Sequence, residues 1–170
     1  MEFRDAVSSG DLLRMIRSSP EAASRRRCMS IPTTRSADVN TLDGILHASY
    51  AVISGPAGHP RDWDRFRSLF VPGARLMPVI SGAAPRVRVL TPEDYIRRVE
   101  PIFAQEGFWE RETSRQAETI GRVAHVLSHY ESLHDPDGVP FEHGTNSIQL
   151  FNDGVRWWIV SIMWNTARGE

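Results

Sequence analysis

Lysine is absent from this chain: all twenty basic residues are arginine. That excludes any mechanism built on a lysine Schiff base or a P-loop lysine. Cysteine is nearly absent as well. Cys28 stands alone, so neither an internal disulfide nor a Cys-built zinc site can form. No run of 18 apolar residues occurs, so no helical membrane span is expected. The formal net charge of -1 leaves no basic excess for a nucleic-acid binder held by phosphate contacts. What remains is a 170-residue chain with 41% hydrophobic and 24% charged residues, enough for one domain with a tail. The expected location is cytoplasmic, with no cofactor.

Residues 1–37 differ from the rest. They carry seven arginines, including Arg25, Arg26 and Arg27, many serines and few bulky hydrophobes. Leu12, Leu13 and Ile16 could form one short helix ending near Pro20. Glu2, Asp5, Asp11 and Glu21 argue against an organelle transit peptide, and no apolar h-region follows the basic residues. The segment reads as a poorly ordered Arg/Ser-rich extension, with Met29 as an alternative start. Cys28 falls within it and is given no role. The folded domain is expected over 38–170.

From Asp38 onward the pattern is regular. Asn40 or Thr41 can cap a helix with Leu42, Ile45, Leu46 and Ile53 on one face and Asp43, His47, Tyr50 and Ser54 on another. Gly55–Pro60 breaks it and lacks phosphate-loop spacing. Asp62 caps a second helix expected to align Trp63, Phe66 and Phe70 before Pro72-Gly73 stops it. Short strands are expected at 74–80 and 86–90. Thr91-Pro92-Glu93-Asp94 opens a third helix with Ile96, Val99 and Phe103 buried, kinked at Pro101 and ended at Gly107. Strands at about 108–117 and 119–133 follow, then a hairpin over 143–165.

The hairpin turn contains Asp153-Gly154, a pair suited to a type I′ turn. That turn would set Leu150 opposite Trp157, Ile148 opposite Ile159 and Asn146 opposite Ser161, with Met163 and Asn165 on the same side. His143, Thr145, Ser147, Gln149, Trp158, Val160, Ile162 and Trp164 would take the other side. Neither side of Trp157–Trp164 is polar enough to face water. One side should therefore meet the helices and the other a second copy of the chain. The class is α+β: three helices packed on a strongly curved, mostly antiparallel sheet that encloses a pocket.

This order resembles the nuclear transport factor two-like superfamily, the cone-shaped fold of SnoaL-like cyclases, ketosteroid isomerase and scytalone dehydratase. The resemblance covers roughly residues 38–166. It rests on Ile53-Ser54-Gly55-Pro56-Ala57-Gly58, Arg61-Asp62-Trp63-Asp64-Arg65-Phe66, Val123-Ala124-His125-Val126, and Asn146-Ser147-Ile148-Gln149-Leu150 with Arg156-Trp157-Trp158-Ile159-Val160. Together these are similar to a bacterial subgroup of unknown function. The resemblance implies a deep pocket for a small apolar molecule, sheet-mediated homodimers, and isomerase, dehydratase or cyclase chemistry by acid/base steps. A non-catalytic ligand-binding or dimerisation module is the alternative. The isomerase's paired tyrosine and buried aspartic acids have no direct counterpart, and Tyr50 and Asp43 are positional suggestions only.

Several side chains are candidates for that chemistry. Histidine titrates near 6.5, which suits proton transfer, so His125 is either the pocket's acid/base or a satisfied core residue. His125 and His129 are four strand residues apart, about 13 Å, too far to share a metal. Asp43, His47 and Tyr50 lie about one helical turn apart and either present a proton-transfer set or form an ordinary polar face. Glu110 and Glu112 share one side of their strand. Inward, a glutamate with a raised pKa would be a general base; outward, which the pattern favours, the pair would make ion pairs with a residue such as Arg122. The expected pocket lining is Trp63, Phe66, Phe103, Asn146, Trp157, Ser161 and Met163. Asn146 and Ser161 are its hydrogen-bonding members.

Overall fold

The computed structural model describes residues 34–82 and 84–168, so the readings made for Leu12–Ile16, Cys28 and Met29 lie outside the described residues. Helix α1 spans Ser36–Val39 and straddles the expected domain start. Asp38 in it takes a two-pronged ion pair from Arg65, Nε to Oδ2 at 2.8 Å and Nη2 to Oδ1 at 2.9 Å. That guanidinium holds the Asp38 carboxyl below its ordinary range.

Helix α2 spans Leu42–Ala51 and starts where Thr41 accepts a hydrogen bond from the Gly44 N–H at 2.9 Å. Ile45, Leu46, Ala48 and Tyr50 form its buried side. Helix α3, Trp63–Ser68, is capped by Asp62, which accepts from the Arg65 N–H at 2.9 Å. It is shorter than the apolar spacing suggests. Phe70 is not helical but opens strand β1, Phe70–Ile80, where it pairs with Ile159. Pro72-Gly73 therefore stops no helix. It lies where the β1 register shifts, with Gly73 at φ +86°, a conformation that favours glycine. Strand β2 is only Arg86–Val87.

Helix α4, Pro92–Phe103, begins with a complete capping box between Thr91 and Asp94. It ends at Phe103 rather than at Gly107. Pro101 sits in its final turn and has no N–H to continue the ladder.

Strands β3 (Trp109–Ile120), β4 (Val123–Leu133), β5 (Glu142–Asn152) and β6 (Trp157–Arg168) complete one six-stranded sheet of order β2-β1-β6-β5-β4-β3. Only the β1–β6 pair is parallel. The β3–β4 turn falls at Gly121-Arg122, with Gly121 at φ +60°, and not near Glu118 as the sequence suggested.

The β5–β6 register also departs from expectation. Asn152 pairs with Trp157, Leu150 with Ile159, Ile148 with Ile162 and Asn146 with Trp164. Two local causes account for this. Asp153 accepts from the N–H groups of Val155 (2.8 Å) and Arg156 (2.9 Å) and from Trp158 Nε1 (2.8 Å), which holds open a four-residue turn, 153–156. Val160 is then an extra residue between the Leu150–Ile159 and Gln149–Ser161 pairs, a β-bulge. Beyond it, inward and outward positions exchange along β6.

The concave face of the sheet meets the helices. Ala124, Val126, Ile148, Leu150 and Ile159 pack there against Ile45, Leu46, Phe66 and Phe103. The opposite face carries His125, Leu127, Phe151, Val160 and Met163, all exposed. No helix among the described residues is long and apolar enough to cross a membrane.

Candidate functional site

A cavity of about 220 Å³ lies between helices α2 and α4 and the concave sheet. Its apolar wall includes Ile53, Phe66, Phe70, Leu76, Val99, Phe108, Ile148, Ile162 and Trp164. Ser49, Tyr50, Tyr95, Glu110, Tyr130, Glu142 and Asn146 supply polar atoms. Drug-sized pockets run to roughly 300–1,000 Å³, so this one suits a small molecule.

Glu110 reaches the cavity because residues 110 and 112 of β3 both face the concave side, opposite Ser132 and Tyr130. The outward reading of this pair is thus overturned. The Ser54 hydroxyl fixes the backbone on both sides of the site: it donates to the Tyr50 carbonyl at 2.8 Å and accepts from the Glu110 N–H at 3.0 Å. Phe108 and Gly55 exchange two backbone hydrogen bonds, at 2.7 and 3.1 Å, holding the start of β3 against the loop after α2. Buried Arg61 ties that loop by donating to the carbonyls of Ile53, Gly55, Pro56 and His59. The glycine-rich segment is therefore a pinned turn.

Burial pushes the Glu110 carboxyl up to about 8. Glu142 adds to the rise, while hydrogen bonds from Asn146 and Ser132 oppose it. Near neutral pH the group is mostly protonated. Burial also pushes Tyr50 up to about 12, against hydrogen bonds to Ser128 and Asn146. Tyr95 and Tyr130 are raised by burial too, and both feel the charge of Glu110.

The direction of the hydrogen bonds matters. Ser128 donates its single proton to Glu112 at 2.6 Å. Its contact with the Tyr50 hydroxyl, also 2.6 Å, must then run from Tyr50 to Ser128. Asn146 Nδ2 donates to the Tyr50 oxygen at 3.1 Å and also bonds Glu110. The relay Asn146 to Tyr50 to Ser128 to Glu112 carries its protons away from the cavity, so Tyr50 meets a ligand with a lone pair rather than a proton.

Gly144 makes room for the tyrosine beside it. A Cβ there would overlap Cζ and Oη of Tyr130, its cross-strand partner. Only a residue without a side chain lets the Tyr130 ring lie across β5.

The sequence-predicted residues are only partly brought together. Tyr50, Phe66 and Asn146 line the cavity. His125 does not: odd-numbered residues of β4 from Val123 to His129 face outward, and its ring bonds Ser147 on the exposed face, Nε2 to Oγ 3.0 Å. Asp43 is also outside, with its side chain 83% exposed and paired to Arg115 at 2.9 Å. It shares a helix face with Tyr50, but seven residues separate them along α2, about 10 Å. Ser161 and Met163 lie beyond the Val160 bulge and face outward opposite Gln149 and Ser147. Trp63 and Phe103 stack on each other at 6.3 Å behind the lining, and Trp157 packs on the core near the turn.

Glu142, Tyr95 and Tyr130 line the cavity although the sequence reading passed over them. Alternation along β4 was the available signal for Tyr130, because it shares parity with Ala124, Val126 and Ser128. Among the described residues, no group of three or more His, Cys, Asp or Glu side chains is placed to hold a metal.

No protein-family model and no curated protein matches the sequence. Solved structures do match. An NTF-2-like protein of unknown function from Silicibacter pomeroyi aligns at TM-score 0.52 and 16% identity, over 74% of this chain and 92% of that one. A protein of unknown function with a cystatin-like fold from Nostoc punctiforme gives TM-score 0.58 at 7% identity, over 74% and 88%. A member of the NTF2-like family from Streptomyces avermitilis gives 0.55 at 15%, over 78% and 97%. At such identities the likeness speaks for architecture alone: the curved, unclosed sheet with helices in its concavity is the nuclear transport factor two-like cone fold.

Proposed function

We propose that this chain binds a small, largely apolar molecule in the cavity and that Glu110 exchanges a proton with the polar group of that molecule. The observation that carries this reading is the Glu110 carboxyl lining an aromatic-walled cavity, where burial pushes it up to about 8. Such a group donates a proton to a developing oxyanion or leaving group and can take one back, as isomerisation, dehydration and cyclisation require. Glu110 takes the acid/base role that the sequence suggested for His125. Tyr50 and Asn146 orient it.

The test is a thermal-shift screen of small neutral and ionisable fragments on the wild type and on Val99→Trp, which fills the cavity from α4. Ligands of the site raise the melting temperature of the wild type and not of the variant. A substrate found this way should be turned over about 10²- to 10⁴-fold more slowly by Glu110→Gln. Equal shifts in the wild type and Val99→Trp would refute the reading.

A second reading concerns the outer sheet face. Leu127, Phe151, Val160 and Met163 are exposed there at 36–39% each, a cluster of large hydrophobics on neighbouring strands. Covering them with the same face of a second copy gives a homodimer, which removes the patch from water.

A further inference from the structure

The donors and acceptors around the cavity bear on what kind of molecule it takes. Among the described residues that line it there is neither arginine nor histidine, whereas two carboxyl side chains, Glu110 and Glu142, are present. The hydrogens of Asn146 and Tyr50 are already directed to partners in the protein. Asn146 donates to Tyr50 and bonds Glu110, and Tyr50 donates on to Ser128. Toward the cavity these groups offer oxygen acceptors. Around them stand aromatic faces, with Phe66 stacked on Tyr95 at 5.4 Å and Tyr95 edge-on to Trp164 at 6.3 Å. Acceptors backed by a carboxylate and ringed by aromatic faces suit an ammonium group, which has donors in every direction and is drawn to the negative face of a ring. A carboxylate or phosphate ligand would find no cation among the described lining residues.

We propose that the cavity takes a small organic amine, bound as its ammonium against ionised Glu110 with its apolar body between the aromatic walls. This rests on the ligand-binding reading above and names the ligand's polar group. Because free Glu110 is mostly protonated near neutrality, capture of an ammonium ejects the carboxyl proton to solvent. Binding is thereby linked to pH in a direction that a neutral ligand does not share. Affinity rises as pH approaches 8, levels off above it, and falls only beyond the amine's own pKa. The proposal depends on Glu110 alone among the carboxyls.

The experiment is calorimetric titration of the full chain with benzylamine and with benzyl alcohol, probes of similar size and shape, in two buffers of different ionisation enthalpy. Benzylamine should bind about tenfold more tightly at pH 7 than at pH 6 and release about one proton per site at pH 7. Benzyl alcohol should release none. Glu110→Gln should remove both the pH dependence and the proton release, and weaken benzylamine at pH 8 by at least about tenfold. If that variant does not fold, the two probes on the wild type decide the matter. Benzylamine binding without proton release, or benzyl alcohol binding the more tightly, overturns the amine assignment and leaves the ligand-binding cavity standing. If neither probe binds, both readings fall.

Discussion

Replacing Glu110 with glutamine should remove an alkaline loss of stability that this buried carboxyl imposes on the protein. A glutamate in the unfolded chain titrates near 4.3, whereas Glu110 in the folded state titrates at about 8. Between those values the folded state holds a proton that the unfolded state has released. Stability therefore falls as pH rises through this window, the opposite of a salt-bridged carboxylate. The full shift corresponds to roughly 5 kcal/mol, and water admitted by the cavity reduces it, so we expect ~2–5 kcal/mol between pH 5 and pH 8.5. Glutamine keeps the shape and the acceptor for Asn146 but has no proton to lose. The assay is urea denaturation of the wild type and Glu110→Gln at half-unit steps from pH 5 to pH 9. Subtracting the two curves cancels the histidines and every other titrating group common to both. The difference should be small at pH 5 and grow in the variant's favour to pH 8, making Glu110→Gln the more stable protein in mild alkali. A flat difference, or one growing as pH falls, would show that Glu110 ionises like a surface carboxylate.

Two further outcomes follow from packing. Gly144→Ala should destabilise the fold by about 1–3 kcal/mol, because its methyl group displaces the Tyr130 ring. In a double-mutant cycle, Tyr130→Ala should recover part of that cost, and strict additivity would contradict the account. On the outer face, Leu127→Glu places a charge within the exposed apolar cluster and should convert a wild-type dimer to monomer in sedimentation velocity. A wild type that already sediments as a monomer rejects the dimer.

Local signals in the chain were readable wherever a side chain acts on its own backbone. The caps at Thr41, Asp62 and Thr91 fixed three helix starts, since each oxygen satisfies an N–H within its own first turn. Phe70 was harder to place. Its helical spacing from Phe66 was real, yet pairing with Ile159, far along the chain, drew it into a strand. The hairpin register failed for a similar reason. Asp153-Gly154 marked the turn correctly, but three donors converging on one carboxylate lengthened it, and the extra residue at Val160 moved Ser161 and Met163 to the other face. His125 stood in an apolar run whose alternation exposes it. Glu110 was legible as half of an alternating acidic pair. Which way that pair pointed depended on pairing opposite Ser132 and Tyr130, a tertiary fact.

The bulge at Val160 makes the chemistry of the cavity depend on a count. Were the strand to run flat through that residue, with Val160 taking a regular place in the pleat, its far half would turn over: Ser161 and Met163 would enter the hollow while Ile162 and Trp164 left it for the convex surface. The ligand chamber would gain a hydroxyl and a thioether in place of an aliphatic and an indole, with no side chain substituted. Excising Val160, by contrast, would set Ser161 directly after Ile159 in ordinary alternation and keep every partner across the strand, so the present wall survives loss of the extra residue but not its absorption into the pleat.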